Sequence, residues 1–292
     1  MSVRTGLEPS SGRQDLRKRL VTAIVLVPLF LVSVVVGRVV FLGAVMLLSG
    51  IAAWEFFRMA GRKAFRPRPI SGIGLALGFP PLLYWAPTHP LAVPALVTFG
   101  VIGIAVSQLL DPAGEEMLGS VSTTVYGAAY AGLLLGHFVL IREVSRVVPG
   151  MPYWSGAFLV AVPVVLTWVN DTAAYLVGHR WGRRKLMPRV SPGKTVEGAV
   201  GALLVTVLAA IPTLWVVDRW VPLFGLENAL ALGALVGFVA PLGDLVESGF
   251  KRDAGVKDSS DLIPGHGGVL DRFDSLIVVT PVYWYYLQSI VL

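Results

Sequence analysis

The sequence predicts an all-α fold, namely a polytopic helical integral membrane protein with about nine transmembrane helices and a cytoplasmic N-terminus. The first observation is composition: 55% of the residues are hydrophobic and only 14% are charged, against roughly 25% charged in a soluble domain. The second is that several apolar runs approach the ~20 residues that a helix needs to cross the hydrocarbon core. These runs do not alternate polar and apolar residues, as the strands of a membrane barrel would.

The predicted spans begin directly after a basic arm. A basic arm before an apolar run resembles a signal peptide, but residues 20–36 form a long run without an A-x-A cleavage pattern, so we interpret them as a retained first span. Only Gly37-Arg38 separates this span from the second, at 39–57, which indicates a helical hairpin. The remaining spans are expected at about 70–86, 91–110, 121–141, 156–177, 197–217, 225–246 and from Val269 to the C-terminus.

The distribution of basic residues, the third observation, predicts the topology. Of the 24 Lys and Arg residues, 20 fall in the segments 1–19, 58–69, 178–196 and 250–272, and four fall in the alternate loops, at Arg38, Arg142, Arg146 and Arg219. This bias predicts that the N-terminus and the polar loops 178–196 and 250–268 lie in the cytoplasm, where the two loops can converge. It also explains the net charge of +6 without a nucleic-acid partner.

We divide the chain into four regions on this basis. They are a cytoplasmic N-terminal arm (1–19), N-terminal transmembrane helices (20–110), middle transmembrane helices (111–177) and a C-terminal transmembrane region with cytoplasmic loops (178–292). The chain has no cysteine, which excludes thiolate catalysis and Cys-based metal sites.

One polar stretch, residues 244–274, concentrates charge beside these apolar runs. It holds seven of the 18 acidic residues. Asp244 and Glu247 are three residues apart at one helix end, and Asp271 and Asp274 repeat this spacing at the next, which favours oxygen ligands for a hard cation such as Mg²⁺. The interleaved cations, which could neutralise phosphate, are Lys251, Arg252, Lys257 and Arg272. Glycines such as Gly267 and Gly268 permit close backbone approach to a ligand. The alternative is a solvated, salt-bridged loop.

Two further motifs and one histidine complete the candidate site. Ser191-Pro-Gly-Lys194-Thr suggests a Walker A loop, but Pro188 stands where that motif needs glycine and we expect no preceding strand. Lys194 could bind a phosphate, or the segment could be a basic loop end. Asn170-Asp171 place an ionisable group inside a membrane helix, either for function or to pair with Arg180. His266 is more consistent with a phosphate donor or proton carrier than with a metal ligand.

The run S-G-F-K-R-D-A-G-V-K-D-S-S-D-L-I-P-G-H-G-G-V-L-D-R-F-D, from Ser248 to Asp274, resembles the signature of bacterial phosphatidate cytidylyltransferases, also called CDP-diacylglycerol synthases. The upstream N-D-T-A-A-Y, K-L-M-P-R-V-S-P-G-K-T-V-E-G and A-A-W-E-F-F-R are also similar to that family. Ala173 departs from it, because relatives often have glycine there.

The resemblance implies a nucleotidyltransferase that converts CTP and phosphatidate to CDP-diacylglycerol and diphosphate in phospholipid biosynthesis. It implies Mg²⁺, as one of a pair of metal ions of which the second could be monovalent, a homodimer, and a bacterial inner-membrane enzyme with its site on the cytoplasmic face. The expected catalytic residues are Asp271, Asp244, Lys251 and His266. The expected metal ligands are Asp244, Asp271, Asp274 and Asp171. The expected substrate-binding residues are Asn170, Asp171, Ser191, Lys194, Ser248, Arg252, Lys257, Asp258, Gly267, Gly268 and Arg272.

Two other functions fit parts of the pattern. A CTP-dependent lipid kinase would also use CTP, but its lipid product would carry only an added phosphate and no cytidine. An ion-coupled transporter would place its acids near the bilayer midplane on broken helices, whereas these acids are expected at helix ends beside loops.

Overall fold

A computed structural model describes residues 11–63, 66–110, 116–222, 224–263, 265 and 267–291 of the chain. The described part is a bundle of helices with one short β-hairpin. The helices are α1 (Ser11–Val36), α2 (Arg38–Ala60), α3 (Pro69–Trp85), α4 (Ala92–Leu109), α5 (Met117–Ala128), α6 (Leu135–Arg142), α7 (Ser155–Trp181), α8 (Val196–Asp218), α9 (Leu226–Asp253) and α10 (Leu270–Val291). A π-helical turn, Ala129–Leu134, joins α5 to α6.

The chain is a multi-pass membrane protein. Among the described residues, six helical segments are long and apolar enough to cross a membrane: Arg38–Ala60, Ala92–Leu109, Met117–Arg142, Ser155–Trp181, Val196–Asp218 and Leu226–Asp253. A shorter apolar stretch, Ile24–Val36, lies in α1. Helices satisfy their own backbone hydrogen bonds, which is why apolar runs in a bilayer take this form.

The prediction of a purely helical chain is wrong for the segment 178–196. Helix α7 continues to Trp181, and the strands β1 (Lys185–Met187) and β2 (Ser191–Thr195) then form an antiparallel hairpin. The S-P-G-K-T motif is therefore strand β2 with a strand before it, contrary to our expectation. Thr195 caps α8, because its hydroxyl accepts a hydrogen bond from the Gly198 amide at 3.1 Å.

The turn between α1 and α2 is closed by a buried cluster at the opposite end of α2 from the polar stretch. Arg142, predicted in an outer loop, is instead the last residue of α6 and is fully buried. Its guanidinium donates to the carbonyls of Val34 (2.5 Å) and Val35 (3.1 Å) in the last turn of α1. The Tyr153 hydroxyl donates to Glu143 at 2.6 Å, and burial followed by this bond raises the pKa of Tyr153 to about 12.

Close helix packing in the C-terminal half sets the position of the polar residues. A Cβ at Gly243 of α9 would lie 2.7 Å from the Asp274 carbonyl and 2.8 Å from the Ser275 Cα on α10. Glycine therefore brings the start of α10 against α9. Asn170 of α7 is fully buried and donates to Thr206 of α8 at 3.0 Å and to the Gly237 carbonyl of α9 at 3.2 Å. This amide joins three helices one residue before Asp171.

Candidate active site

The hairpin and the polar stretch meet at one charged contact. Lys194 of β2 lies 2.6 Å from Asp244 of α9, and both side chains are mostly shielded from solvent, with 25% and 30% exposed. The Ser248 hydroxyl donates to Asp244 at 3.2 Å. Arg252, one turn further, donates to the Val190 carbonyl in the hairpin at 3.2 Å. The structure thus brings together two segments that the sequence predicted to converge.

Asp171 belongs to the same electrostatic group, but it lies further from the end of α7 than predicted, and the residue is exposed on the helix surface. The charges of Asp244 and Lys194 act on Asp171, and those of Asp244 and Asp171 act on Asp274. Three helices therefore contribute one carboxylate each. Because α7 ends at Trp181, Asp171 lies about 15 Å along the helix from that end, rather than in its last turns. Its charged neighbour in the site is Lys194, and not the alternative partner Arg180.

Asp271, at the start of α10, accepts hydrogen bonds at both carboxylate oxygens. One oxygen lies 2.7 Å from the Lys251 ammonium. The other accepts from the Ser259 amide (2.9 Å), the Ser259 hydroxyl (2.7 Å) and the Gly268 amide (2.8 Å). Asp271 therefore organises the loop between α9 and α10 as well as carrying charge at the site.

Lys251 joins two acids from different helices. Its ammonium contacts Glu247 of α9 and Asp271 of α10, and only 12% of its side chain is exposed. Glu247 is fully buried, so it does not share an open cage with Asp244 as their spacing suggested. A buried carboxylate needs a counter-charge, and Lys251 supplies it.

A carboxylate that sequence reasoning missed lies beneath the same loop. Glu55 of α2 is fully buried and accepts hydrogen bonds from Ser259, Ser260, Val269 and Leu270. The available signal was an acid inside an apolar run, within A-A-W-E-F-F-R. Gly267 and Gly268, predicted to contact substrate, also make room for these acids. A Cβ at Gly267 would lie 2.7 Å from Asp271, and one at Gly268 would collide with Glu55 and Ser259.

The other predicted site residues differ in accessibility. Lys257, Asp258 and Arg272 are exposed around the loop, and Ser191 is half-buried in β2. Their substrate contacts stay predictions, as does that of Asn170. His266 lies outside the described residues.

The comparison with known proteins identifies the family. The model of the cytidylyltransferase family matches residues 17–290. The chain belongs to this family. It is therefore a nucleotidyltransferase. Its relatives carry the name of a lipid-biosynthetic enzyme, which is consistent with its membrane helices.

Individual relatives match this cytidylyltransferase over most of its length. The "Phosphatidate cytidylyltransferase" of Bacillus subtilis (strain 168) is 30% identical, over 94% of this chain and 98% of the relative. That of Staphylococcus aureus (strain COL) is 33% identical, over 91% and 97% respectively. A protein of Escherichia coli (strain K12) named "Uncharacterized protein YnbB" is 38% identical, over 73% of this chain and 72% of the relative.

The donor chemistry of the site fits a hard cation that also binds substrate phosphates. Among the described residues, no three His, Asp or Glu side chains form a ready metal-ligand group. Magnesium commonly uses only one or two protein carboxylates and completes its shell with water and phosphate oxygens. Asp244 and Asp274 could supply such a pair, with Asp171 nearby. Four protein donors already occupy the oxygens of Asp271, which gives that residue less freedom to serve as a ligand.

Proposed function

We propose that this cytidylyltransferase is a phosphatidate cytidylyltransferase, which converts CTP and phosphatidate to CDP-diacylglycerol and diphosphate. One observation carries the proposal: Lys194 of the hairpin pairs with Asp244 at 2.6 Å, and the charges of Asp171 and Asp274, on neighbouring helices of the membrane bundle, act on the same group. Such a site suits one substrate that carries several phosphates and another that is held in the bilayer. The printed names of the relatives from B. subtilis and S. aureus support the same substrates.

The reaction is an in-line displacement. An oxygen of the phosphatidate phosphate attacks the α-phosphorus of CTP, a new P–O bond forms, the bond between the α-phosphorus and the bridging oxygen breaks, and diphosphate leaves. Lys194 can bind a phosphate and so release Asp244 from their ion pair. Mg²⁺ held by Asp244 and Asp274 would neutralise phosphate charge when bound. Lys251 and Asp271 keep the loop between α9 and α10 in place, and its exposed cations Lys257 and Arg272 can bind phosphate oxygens.

A groove beside Asp171 supports a lipid substrate. It has a volume of about 420 Å³ and follows the outer side of α7 and α8; its lining includes Val165, Trp168, Thr172, Leu176 and Val205. Because Thr172, which directly follows Asp171 in α7, lines the groove, an acyl chain in the groove would pass close to the carboxylates. We assign one acyl chain of phosphatidate to this groove.

The test uses CTP labelled at two positions. Purified protein in phosphatidate-containing vesicles is supplied with CTP labelled at the α-phosphate or at the γ-phosphate. A cytidylyltransferase puts only the α label into a chloroform-soluble product and needs a divalent cation. A CTP-dependent lipid kinase would put only the γ label there, and an ion-coupled transporter would incorporate neither. Either of these two results would contradict the proposal.

We further propose that nine spans place the N-terminus and the site at the cytoplasmic face of a bacterial inner membrane, in a homodimer. The positive-inside bias supports this orientation. Because the chain has no cysteine, single substitutions report topology directly. Arg62→Cys should react with an impermeant maleimide only after the inner membrane is opened, and His89→Cys should react in intact spheroplasts. The reverse pattern would contradict the orientation, and a monomeric mass in nanodiscs would contradict the dimer.

A further inference from the structure

A buried acid in the N-terminal half of the chain holds the loop that precedes α10. Glu55 lies in α2, 204 residues before Ser259, and none of its surface is exposed to solvent. One of its oxygens accepts from the Ser260 hydroxyl (2.6 Å) and the Val269 amide (3.0 Å). The other accepts from the Ser259 hydroxyl (3.2 Å) and the Leu270 amide (2.8 Å). We call Glu55 and these four donors the Glu55 clasp.

The clasp closes the second part of the loop between α9 and α10. Ser259 and Ser260 follow the end of α9 by six and seven residues, whereas Val269 and Leu270 stand where α10 starts. The first amides of a helix have no partner within the helix and favour a negative charge. Glu55 therefore supplies from α2 the N-terminal cap of α10. Between these two pairs of residues, Ile263 and Gly267 form an isolated antiparallel bridge.

The clasp is linked directly to Asp271. The Ser259 hydroxyl lies 2.7 Å from one Asp271 oxygen and 3.2 Å from one Glu55 oxygen, although it has only one proton to donate. Gly268 separates the two acids: its amide donates to Asp271 at 2.8 Å, and a Cβ on it would collide with Glu55 and Ser259. The positions of the two carboxylates are thus set by the same two loop residues.

We propose that Glu55 is a positioning residue for nucleotidyl transfer. It lies under the loop, out of reach of substrate, and holds Asp271, Lys257 and Arg272 in register with Asp244 and Lys194. The kinetic test of this assignment rests on the proposed function, whereas the structural test, which measures how well the loop is held, does not. A displacement of about 1 Å at reacting groups can slow a reaction about 100-fold, so the loss of the clasp should appear in kcat.

The test compares two buried glutamates that share the same chemistry. Glu55→Gln keeps the shape of the side chain but replaces one of its oxygens with an NH₂ group. That NH₂ group would face a serine hydroxyl and a backbone amide, both of which donate hydrogen bonds to the glutamate. Glu143→Gln makes the same change near the α1–α2 turn, where Glu143 accepts from the Arg38 amide (3.0 Å) and the Tyr153 hydroxyl (2.6 Å). That turn lies about 25 Å along α2 from Glu55. Both variants are purified to the same folded fraction, and kcat and KM for CTP are measured.

We expect Glu55→Gln to lower kcat 10- to 100-fold with less than a threefold change in KM for CTP, and Glu143→Gln to leave both within twofold. The second readout is the rate of tryptic cleavage after Lys257, well below the melting temperature, which should rise at least tenfold in Glu55→Gln alone. Glu55→Gln with wild-type kcat, or with a cleavage rate no higher than that of Glu143→Gln, overturns the proposal. If the wild-type protein transfers no cytidylyl group to lipid, the proposed function fails, and the cleavage rates still decide whether the clasp exists.

Discussion

Replacing Asp271 by asparagine tests the central contact of the site with almost no change in shape. In the wild-type protein the Lys251 ammonium lies 2.7 Å from one Asp271 oxygen. If the asparagine oxygen takes the place of the other oxygen, which Ser259 and Gly268 bind, the asparagine nitrogen faces this ammonium. If the amide is reversed, its nitrogen faces the Ser259 and Gly268 amides at 2.9 and 2.8 Å. In either orientation at least one hydrogen bond to a charged group becomes a contact between two donors.

The size of the effect follows from that loss. One hydrogen bond to a charged group contributes about 1.5–3 kcal/mol. Lys251 keeps only Glu247 as a charged partner and withdraws from α10, so the loop and Asp271 both shift. Since about 1.4 kcal/mol corresponds to a tenfold change in rate, we expect Asp271→Asn to lower kcat about 10- to 100-fold while the protein stays folded and inserted.

The assay is incorporation of α-labelled CTP into lipid, normalised to folded protein. The control is Asp253→Asn, the same chemical change at an exposed pair in which Lys63 lies 3.0 Å from Asp253 and the side chains are 40% and 66% exposed. Such a pair contributes less than about 1 kcal/mol, so its turnover should stay within twofold. If Asp271→Asn retained more than half of the wild-type turnover, Asp271 would have no role in the reaction and our account of the loop would be wrong.

Four further predictions concern separate parts of the structure. Lys194→Ala removes the cation 2.6 Å from Asp244. Initial rates should show that KM for CTP rises about tenfold, because one phosphate contact is lost, and an unchanged KM would exclude Lys194 as a phosphate-binding residue. Val205→Trp fills the groove beside α7 and should raise KM for phosphatidate but leave KM for CTP unchanged, whereas equal effects on both would contradict the assignment of the groove. Gly268→Ala forces a Cβ against Glu55 and Ser259, which should cost about 1–3 kcal/mol and lower the melting temperature in detergent, while Gly103→Ala, with open space around its Cβ, should not. Arg142→Met leaves the carbonyls of Val34 and Val35 without their buried donor and should destabilise the protein by about 2 kcal/mol or more, with kcat per folded molecule unchanged; a fall in kcat would show that the α1–α2 turn communicates with the site.

The helices could be predicted from the sequence because their signal is local. Long apolar runs must satisfy their backbone within the segment, and the turn at Gly37-Arg38 is evident from two residues. The hairpin could not be predicted in the same way. Its strands are only three and five residues long, and β2 contains Pro192 and Gly193, which normally argue against a strand.

The residues of the site could be predicted from the sequence, but most of their contacts could not. The spacing of Asp271 and Asp274 identified a polar helix start, yet it suggested a shared cation cage, whereas Asp271 binds Lys251 and the loop backbone. Glu247 faces the buried side of α9, which its distance from Asp244 along the chain did not reveal. Glu55 has its partners more than 200 residues away, and no local pattern indicates which donors a lone acid in an apolar helix will meet.

The separation between Glu55 and its partners has a consequence for biosynthesis. At roughly 5–20 residues per second, the ribosome needs roughly 10 to 40 seconds to make the 204 residues between Glu55 and Ser259. During that interval α2 carries an acid whose four donors do not yet exist. A nascent or truncated chain that lacks the C-terminal helices therefore carries, in a membrane segment, an acid without the four hydrogen-bond donors that satisfy it in the complete chain.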